Sequence, residues 1–143
     1  MKMIIPAALI ALALSAPALA MHRDGGRKLM TSLSGAMEVP GPGDTNGTGK
    51  FSARVNSGQT KVCYKLSVAK LATPTMAHIH RGALGVAGPV VVALKAPASG
   101  KSSACAMVTR ELAKELLTNP EGFYVNVHNA AYPAGAMRGQ LMK

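Results

Sequence analysis

The sequence predicts an all-β fold, an antiparallel Greek-key sandwich or barrel with one short helix near residues 110–118. Several short segments alternate apolar and polar side chains with a period of two, which is the pattern of a half-buried strand. Clusters of glycine, proline and asparagine separate these segments where strands would reverse. About seven short strands spaced in this way are typical of a sandwich or a barrel.

The clearest alternation runs through residues 60–69, where Val62, Tyr64 and Leu66 face one way and Cys63 and Lys65 face the other. A continuous apolar run at 90–94 is typical of a buried strand. The remaining strands are expected at 28–39, 50–55, 75–80, 123–128 and 137–142, with loops at 40–49, 82–88 and 97–103.

One segment has helical rather than strand periodicity. Leu112, Leu116 and Leu117 form an apolar stripe at helical spacing, and Thr109 stands where an N-terminal cap is needed. The helix is expected to end at Asn119, because the following proline disfavours helical backbone at the residue before it.

Length and charge exclude several classes of protein. The 143 residues are enough for one domain, but not for a multidomain enzyme or a TIM barrel. Lys and Arg number 16 against 6 Asp and Glu, for a formal charge of +10, but no aromatic residues are interleaved to stack bases. Nucleic acid is therefore not expected as a partner. The charge is either a basic soluble surface or a loose attraction to anionic envelope lipids or polysaccharides.

The chain divides into three segments. Residues 1–20 resemble a secretory signal peptide, with a positive start, a short apolar run and the cleavage sequence Ala18-Leu19-Ala20. An uncleaved membrane anchor is the alternative interpretation. Residues 21–28 are expected to form a flexible arm, and 29–143 the folded domain. No later apolar segment is long enough to span a bilayer, so we expect a periplasmic or secreted protein.

The two cysteines are expected to pair. An oxidising compartment favours a disulfide between Cys63 and Cys105, since an even number of cysteines in an exported chain usually pairs. Two free thiols or a thiolate metal site are the alternatives.

Three histidines lie on predicted strands and suggest a metal site. His78 and His80 are two residues apart, so in a strand they share a face, and Met76 lies in the same row. His128 ends a later strand and completes a three-imidazole site if the two strands are neighbours. Imidazole suits copper or zinc, and the Met76 thioether, as an auxiliary ligand, favours Cu(I). Asn126, on the face of His128, is a candidate partner for the ligands.

Two other roles for these residues remain open. The histidines could brace the glycine-rich loop at 82–88 by hydrogen bonds to its backbone, or they could bind an anion together with Arg81 and Arg138. The sequence has no Gly-x-Ser-x-Gly motif and no close pair of strand carboxylates. We therefore assign no catalytic residue and expect a protein that is not an enzyme, with a metal-dependent redox enzyme as the least favoured alternative.

Four motifs follow one another in the second half of the chain: Ala77–Gly82, Gly88–Val92, Gly122–His128 and Tyr132–Leu141. Together they resemble the CHRD domain, which is named for chordin and also occurs in bacterial exported proteins. A further segment, Leu33–Pro40, resembles the opening motif of that domain, and the resemblance covers residues 29–142. Departures are Met37 and Met137 at positions where other residues are frequent, and Gly41 in place of a second proline.

The resemblance implies an extracellular or periplasmic immunoglobulin-like β fold, but no particular activity. The three histidines and Arg81, Asn126, Arg138 and Gln140 fall inside its motifs, which makes them candidates for any site. The His-x-His strand with a later histidine is also similar to copper-zinc superoxide dismutase, although too few histidines and acids are present for a two-metal centre. Two functions follow: an exported module that binds copper or zinc, or an envelope adhesion module whose histidines are structural.

Overall fold

The computed structural model describes residues 26–143, and the predicted signal peptide lies outside them. Eight strands and one helix follow in chain order. They are β1 (Arg27–Ser34), β2 (Thr48–Val55), β3 (Lys61–Ala69), β4 (Pro74–Arg81), β5 (Val90–Leu94), β6 (Lys101–Met107), α1 (Arg110–Thr118), β7 (Phe123–Asn129) and β8 (Met137–Gln140). Single 3-10 turns precede the second strand, at Gly35–Met37, and β7, at Pro120–Gly122.

All eight strands belong to one antiparallel sheet in the order β5-β4-β7-β8-β1-β2-β3-β6. Pairs such as β3–β6 and β4–β7 join strands that are not consecutive in the chain, as expected of Greek-key connections. The sheet curls until its two edge strands, β5 and β6, approach each other. The prediction of an all-β antiparallel fold is confirmed, and its form is a nearly closed barrel.

Side chains rather than a backbone ladder join the two edges of the barrel. The Tyr64 hydroxyl on β3 accepts a hydrogen bond from the Lys95 backbone N–H at 2.7 Å, just beyond β5. The Ser102 hydroxyl on β6 donates to the Lys95 carbonyl at 2.8 Å. Lys95, the first residue after β5, is therefore hydrogen-bonded to both β3 and β6 on the other side of the opening.

The interior of the barrel is a filled apolar core. The alternating residues of each strand that point inward, such as Leu29, Phe51, Leu66 and Ile79, are nearly or completely buried. The helix α1 adds Ala113, Leu116 and Leu117 to the same core. Thr109 caps this helix by accepting a hydrogen bond from the Leu112 N–H, which confirms the predicted helix and its cap.

Two details of the sequence interpretation need correction. The region expected to be a loop at 97–103 ends early, because β6 begins at Lys101. The residues of β6 are mostly small and lack the β-branched side chains that are typical of strands, so strand propensity did not indicate this strand. The arm expected at 21–28 also ends early, because Arg27 and Lys28 already pair with Val55 and Arg54 in β1 and β2.

Cys63 and Cys105 form the predicted disulfide. They lie directly opposite each other on β3 and β6, so the bond ties an edge strand to its neighbour. Among residues 26–143, no helix is long and apolar enough to cross a membrane.

Candidate metal centre

Strand β7 lies at the centre of the candidate site, and both of its faces are covered by other parts of the chain. All seven of its residues are buried. One face points into the barrel core, and the other lies beneath loops on the outside of the barrel. Most side chains on this outer face of β4, β7 and β8 are polar: His78, Asn126 and Arg138 form one cross-strand row, and His80, Tyr124 and Gln140 form the next.

The three predicted histidines come together on this outer face. β4 and β7 are neighbours, and one candidate ligand atom from each of His78, His80 and His128 lies within 4.8 Å of the others. His78 Nδ1 is 3.2 Å from His128 Nε2. Two nitrogens that bind one metal at 2.0–2.1 Å with tetrahedral angles are about 3.3 Å apart, so this pair already has nearly that spacing.

Hydrogen bonds to loop carbonyls fix the tautomers of two histidines. His80 Nδ1 is 2.8 Å from the Gly88 carbonyl oxygen, and His128 Nδ1 is 3.0 Å from the Pro133 carbonyl oxygen. A carbonyl only accepts, so both Nδ1 atoms carry the hydrogen and both Nε2 atoms keep a lone pair. This is the arrangement in which a second partner orients a metal-binding imidazole.

His80 Nε2 is buried and has no hydrogen-bond partner among the described residues. Its ring is stacked on Tyr124, with centroids 4.8 Å apart, which holds the imidazole plane in place. A buried polar atom without a partner costs free energy unless something else binds it. The lone pair of His80 Nε2 is thus available to an external ligand.

The environment favours the neutral form of all three imidazoles. Burial is the main cause that lowers the pKa of each histidine below its usual value of 6.5. Mutual repulsion adds to this effect for His78, and the positive charge of Arg138 adds to it for His80. The bonds to Gly88 and Pro133 oppose the shift but do not cancel it. Neutral imidazole is the form that binds metal.

Of the other predicted site residues, Met76 and Arg138 lie on this face near the histidines, whereas Arg81 contacts the helix α1. Met76 lies directly across from His128 in the β4–β7 register and is 47% exposed. Arg138 is buried next to the histidines, with its guanidinium 3.5 Å from the centre of the Tyr124 ring. Arg81 lies apart from the cluster, because it forms an ion pair with Glu115 on α1.

Several of these polar groups hold the loop between β4 and β5. Arg138 donates to the Val86 carbonyl at 3.0 Å, and Gln140 donates to the Gly82 carbonyl at 2.6 Å. The Gly88 N–H donates to the Tyr124 hydroxyl at 3.0 Å. The expectation that histidines brace this loop is met by His80 alone, since His78 contacts His128 instead.

Glu38 belongs to the same polar network but was not singled out from the sequence. Its carboxylate accepts a hydrogen bond from Asn126 Nδ2, and the side chain is 8% exposed. Burial raises its pKa from 4.5 to about 7, against the opposing effects of Arg138 and Asn126. Only its place in the opening motif at 33–40 could have drawn attention to it, since nothing in its local pattern marks a buried acid.

The fold and the site together define an all-β domain with a cluster of three imidazoles that could hold a metal ion on the outer face of its barrel. The sequence matches the CHRD domain over residues 29–141, and the chain belongs to that family. Searches of curated proteins and of solved structures found no match.

Proposed function

We propose that this CHRD domain is a metal-binding module, with His78, His80 and His128 as ligands and copper as the metal. The observation that carries the proposal is the convergence of three imidazole nitrogens within 4.8 Å, with two Nδ1 atoms engaged by backbone carbonyls. Bracing of the loops and metal binding are compatible, because His80 and His128 use Nδ1 for the first and keep Nε2 for the second.

The surroundings favour Cu(I) over a divalent ion. All three ligands are neutral, and the described cluster includes no carboxylate or thiolate. The buried guanidinium of Arg138 next to His80 repels a dication about twice as strongly as a monocation at the same position. Met76 is the register partner of His128 and brings a thioether to the strand next to it, and thioethers prefer Cu(I). Zn(II) and Cu(II) are expected to bind more weakly.

Binding through Nδ1 of His78 would require this histidine to change its tautomer. His128 Nε2 has only a lone pair, so in the metal-free protein His78 Nδ1–H donates to it. For one metal to be held by both nitrogens, the His78 proton would have to lie on its Nε2 atom instead. His78 is also the cluster member without a bond to a loop carbonyl, which makes it the best residue to replace without disturbing the loops.

Titration of the metal-free full chain with Cu(I), Cu(II) and Zn(II) tests the proposal. We expect one ion per chain, with Cu(I) the tightest. The His78→Ala variant should lose about 100-fold in affinity or more, since even the loss of an outer partner of a ligand costs 10–100-fold. His22→Ala, which also removes one histidine but leaves His78, His80 and His128 in place, is the control and should bind as the parent does. Equal binding by parent and His78→Ala would refute the proposal.

The auxiliary role of Met76 has its own matched control. Met76 and Met107 are both exposed methionines on strands, 47% and 75% exposed, but only Met76 neighbours a histidine of the cluster. Met76→Leu should weaken Cu(I) binding and leave Zn(II) binding unchanged, whereas Met107→Leu should change neither. If Met76→Leu leaves Cu(I) affinity unchanged, the thioether is not a ligand.

A further inference from the structure

The outer face of β1, β2, β3 and β6 is basic along its whole width. These four strands contain no Asp or Glu. The one ion pair among residues 26–143 joins Arg81 to Glu115, away from this face. The cations on the face therefore have no acidic partner on their own strands. Those that point outward are Lys28, Lys50, Arg54, Lys61, Lys65 and Lys101.

Lysine and serine alternate across this face in two adjacent rows. The first row is Ser32, Lys50, Ser67 and Lys101, from β1 to β6. The second row places Lys65 between Ser52 and Ser103. Neighbouring strands are about 4.8 Å apart, so the Cα atoms of Lys50 and Lys101 are about 10 Å apart. The three lysines are exposed, and each has a hydroxyl on the neighbouring strand.

A groove of about 950 Å³ runs along these rows, and we call it the lysine groove. Its cationic residues are Lys50, Lys65 and Lys101, its hydroxyls are the serines of the two rows, and three methionines line its β1 and β8 side. A recess suits a ligand that can lie inside it, such as a chain of linked rings, better than it suits a flat partner such as a bilayer. Its methionines are Met30, Met37 and Met142.

We propose that the lysine groove binds an acidic polysaccharide, with the three lysines on its carboxylates and the serines on its hydroxyls. Complementary charge is the main argument, because three ammonium groups without acidic partners face one recess. The alternation of cation and hydroxyl matches a polymer whose every unit has both an acid group and hydroxyl groups. The groove lies on strands that carry none of the three histidines, so its occupation does not require a metal.

Two other polyanions fit the groove less well. Binding to a bilayer would place apolar side chains next to the cations. Met37 and Met142 do line the groove, at 40% and 53% exposed, but the most exposed apolar side chains, Leu84 and Met107, lie outside it. Single-stranded nucleic acid needs aromatic rings for its bases, and the one aromatic residue that lines the groove, Phe51, is 2% exposed.

Binding of the full chain to polygalacturonate, a linear polyuronate, tests this proposal. The parent should bind at low salt and lose about tenfold in affinity between about 50 and 200 mM salt, because bound counterions are released on binding. The triple variant Lys50→Gln/Lys65→Gln/Lys101→Gln should lose at least about tenfold at low salt. The control Lys95→Gln/Lys114→Gln/Lys143→Gln removes the same charge from exposed positions outside the groove, and should lose less than about threefold.

Each alternative outcome would overturn the proposal. Equal losses in the two triple variants would mean that net charge alone attracts the polymer. Equal binding of the parent to neutral dextran would exclude recognition of the acid groups. Tighter binding to anionic phosphatidylglycerol vesicles or to single-stranded DNA would identify a different partner. Melting curves show whether both triple variants fold. A Cu(I) titration of the same variants that matches the parent shows that the loss of polymer binding does not come from a change in the metal site.

Discussion

Replacing Glu38 by glutamine should make the protein more stable at neutral and alkaline pH. The carboxyl group has a pKa of about 7 in the folded chain against 4.5 ordinarily, with burial as the main cause. A raised pKa means that the folded state holds the proton longer than the unfolded state. Below pH 4.5, Glu38 is protonated in both states and does not destabilise the folded chain. The free-energy cost of ionising it in the folded state grows as the pH rises to 7 and reaches its full value above pH 7. The difference between a pKa of 4.5 and one of about 7 corresponds to about 3 kcal/mol of stability.

Urea unfolding of the parent and Glu38→Gln between pH 4 and 8 measures this cost. The new amide keeps the size of the side chain, and its oxygen can still accept the hydrogen bond from Asn126. The three histidines are present in both proteins, so their titration largely cancels in the difference between the two free energies of unfolding. That difference should shift by about 3 kcal/mol in favour of the variant between pH 4 and 8. A difference that does not change with pH would refute the reasoning.

Three further predictions concern the disulfide, the contact between the two edges of the barrel and the loop that holds His80. Replacing Cys63 and Cys105 by serine should cost about 4 kcal/mol in urea unfolding, since the sequence separation of 42 sets the entropy of the closed loop; a loss below about 1 kcal/mol would contradict that origin. Tyr64→Phe should cost about 1 kcal/mol and speed amide exchange at Lys95, whose N–H loses its acceptor. Gly88→Ala should weaken metal binding, because its Cβ would lie 1.7 Å from the Arg81 carbonyl oxygen and displace the partner of His80; unchanged affinity would exclude that coupling.

The features of this fold that repeat along the sequence could be predicted from it. The alternation at 60–69 became β3, and the leucine stripe became α1, because burial on one face imposes a period on the sequence. Strand β6 has no such signal, since small residues such as Ala104 and Ala106 alternate with other small residues. Its strand state depends on pairing with β3, which is a contact between distant parts of the chain.

The candidate site was predictable in its residues but not in its geometry. The His-x-His spacing placed His78 and His80 on one face, but only the pairing of β4 with β7 brings His128 to them. The local pattern around Glu38 does not show its burial, because that burial depends on Asn126 and Gly135, which are distant in sequence. The lysine groove was equally hidden, since single lysines on three strands become a cluster only when the sheet orders those strands side by side.

The long separation of the histidines in the chain has a consequence for when metal can be acquired. His78 and His128 are 50 residues apart in sequence, yet their nitrogens lie 3.2 Å apart after folding. Of the three ligands, an unfolded chain keeps only His78 and His80 close together, and that pair cannot close a three-ligand site. On the proposed function, metal uptake follows folding rather than guiding it. The ion that the protein carries is then chosen by the surroundings in which the barrel forms, whatever ions the chain met before.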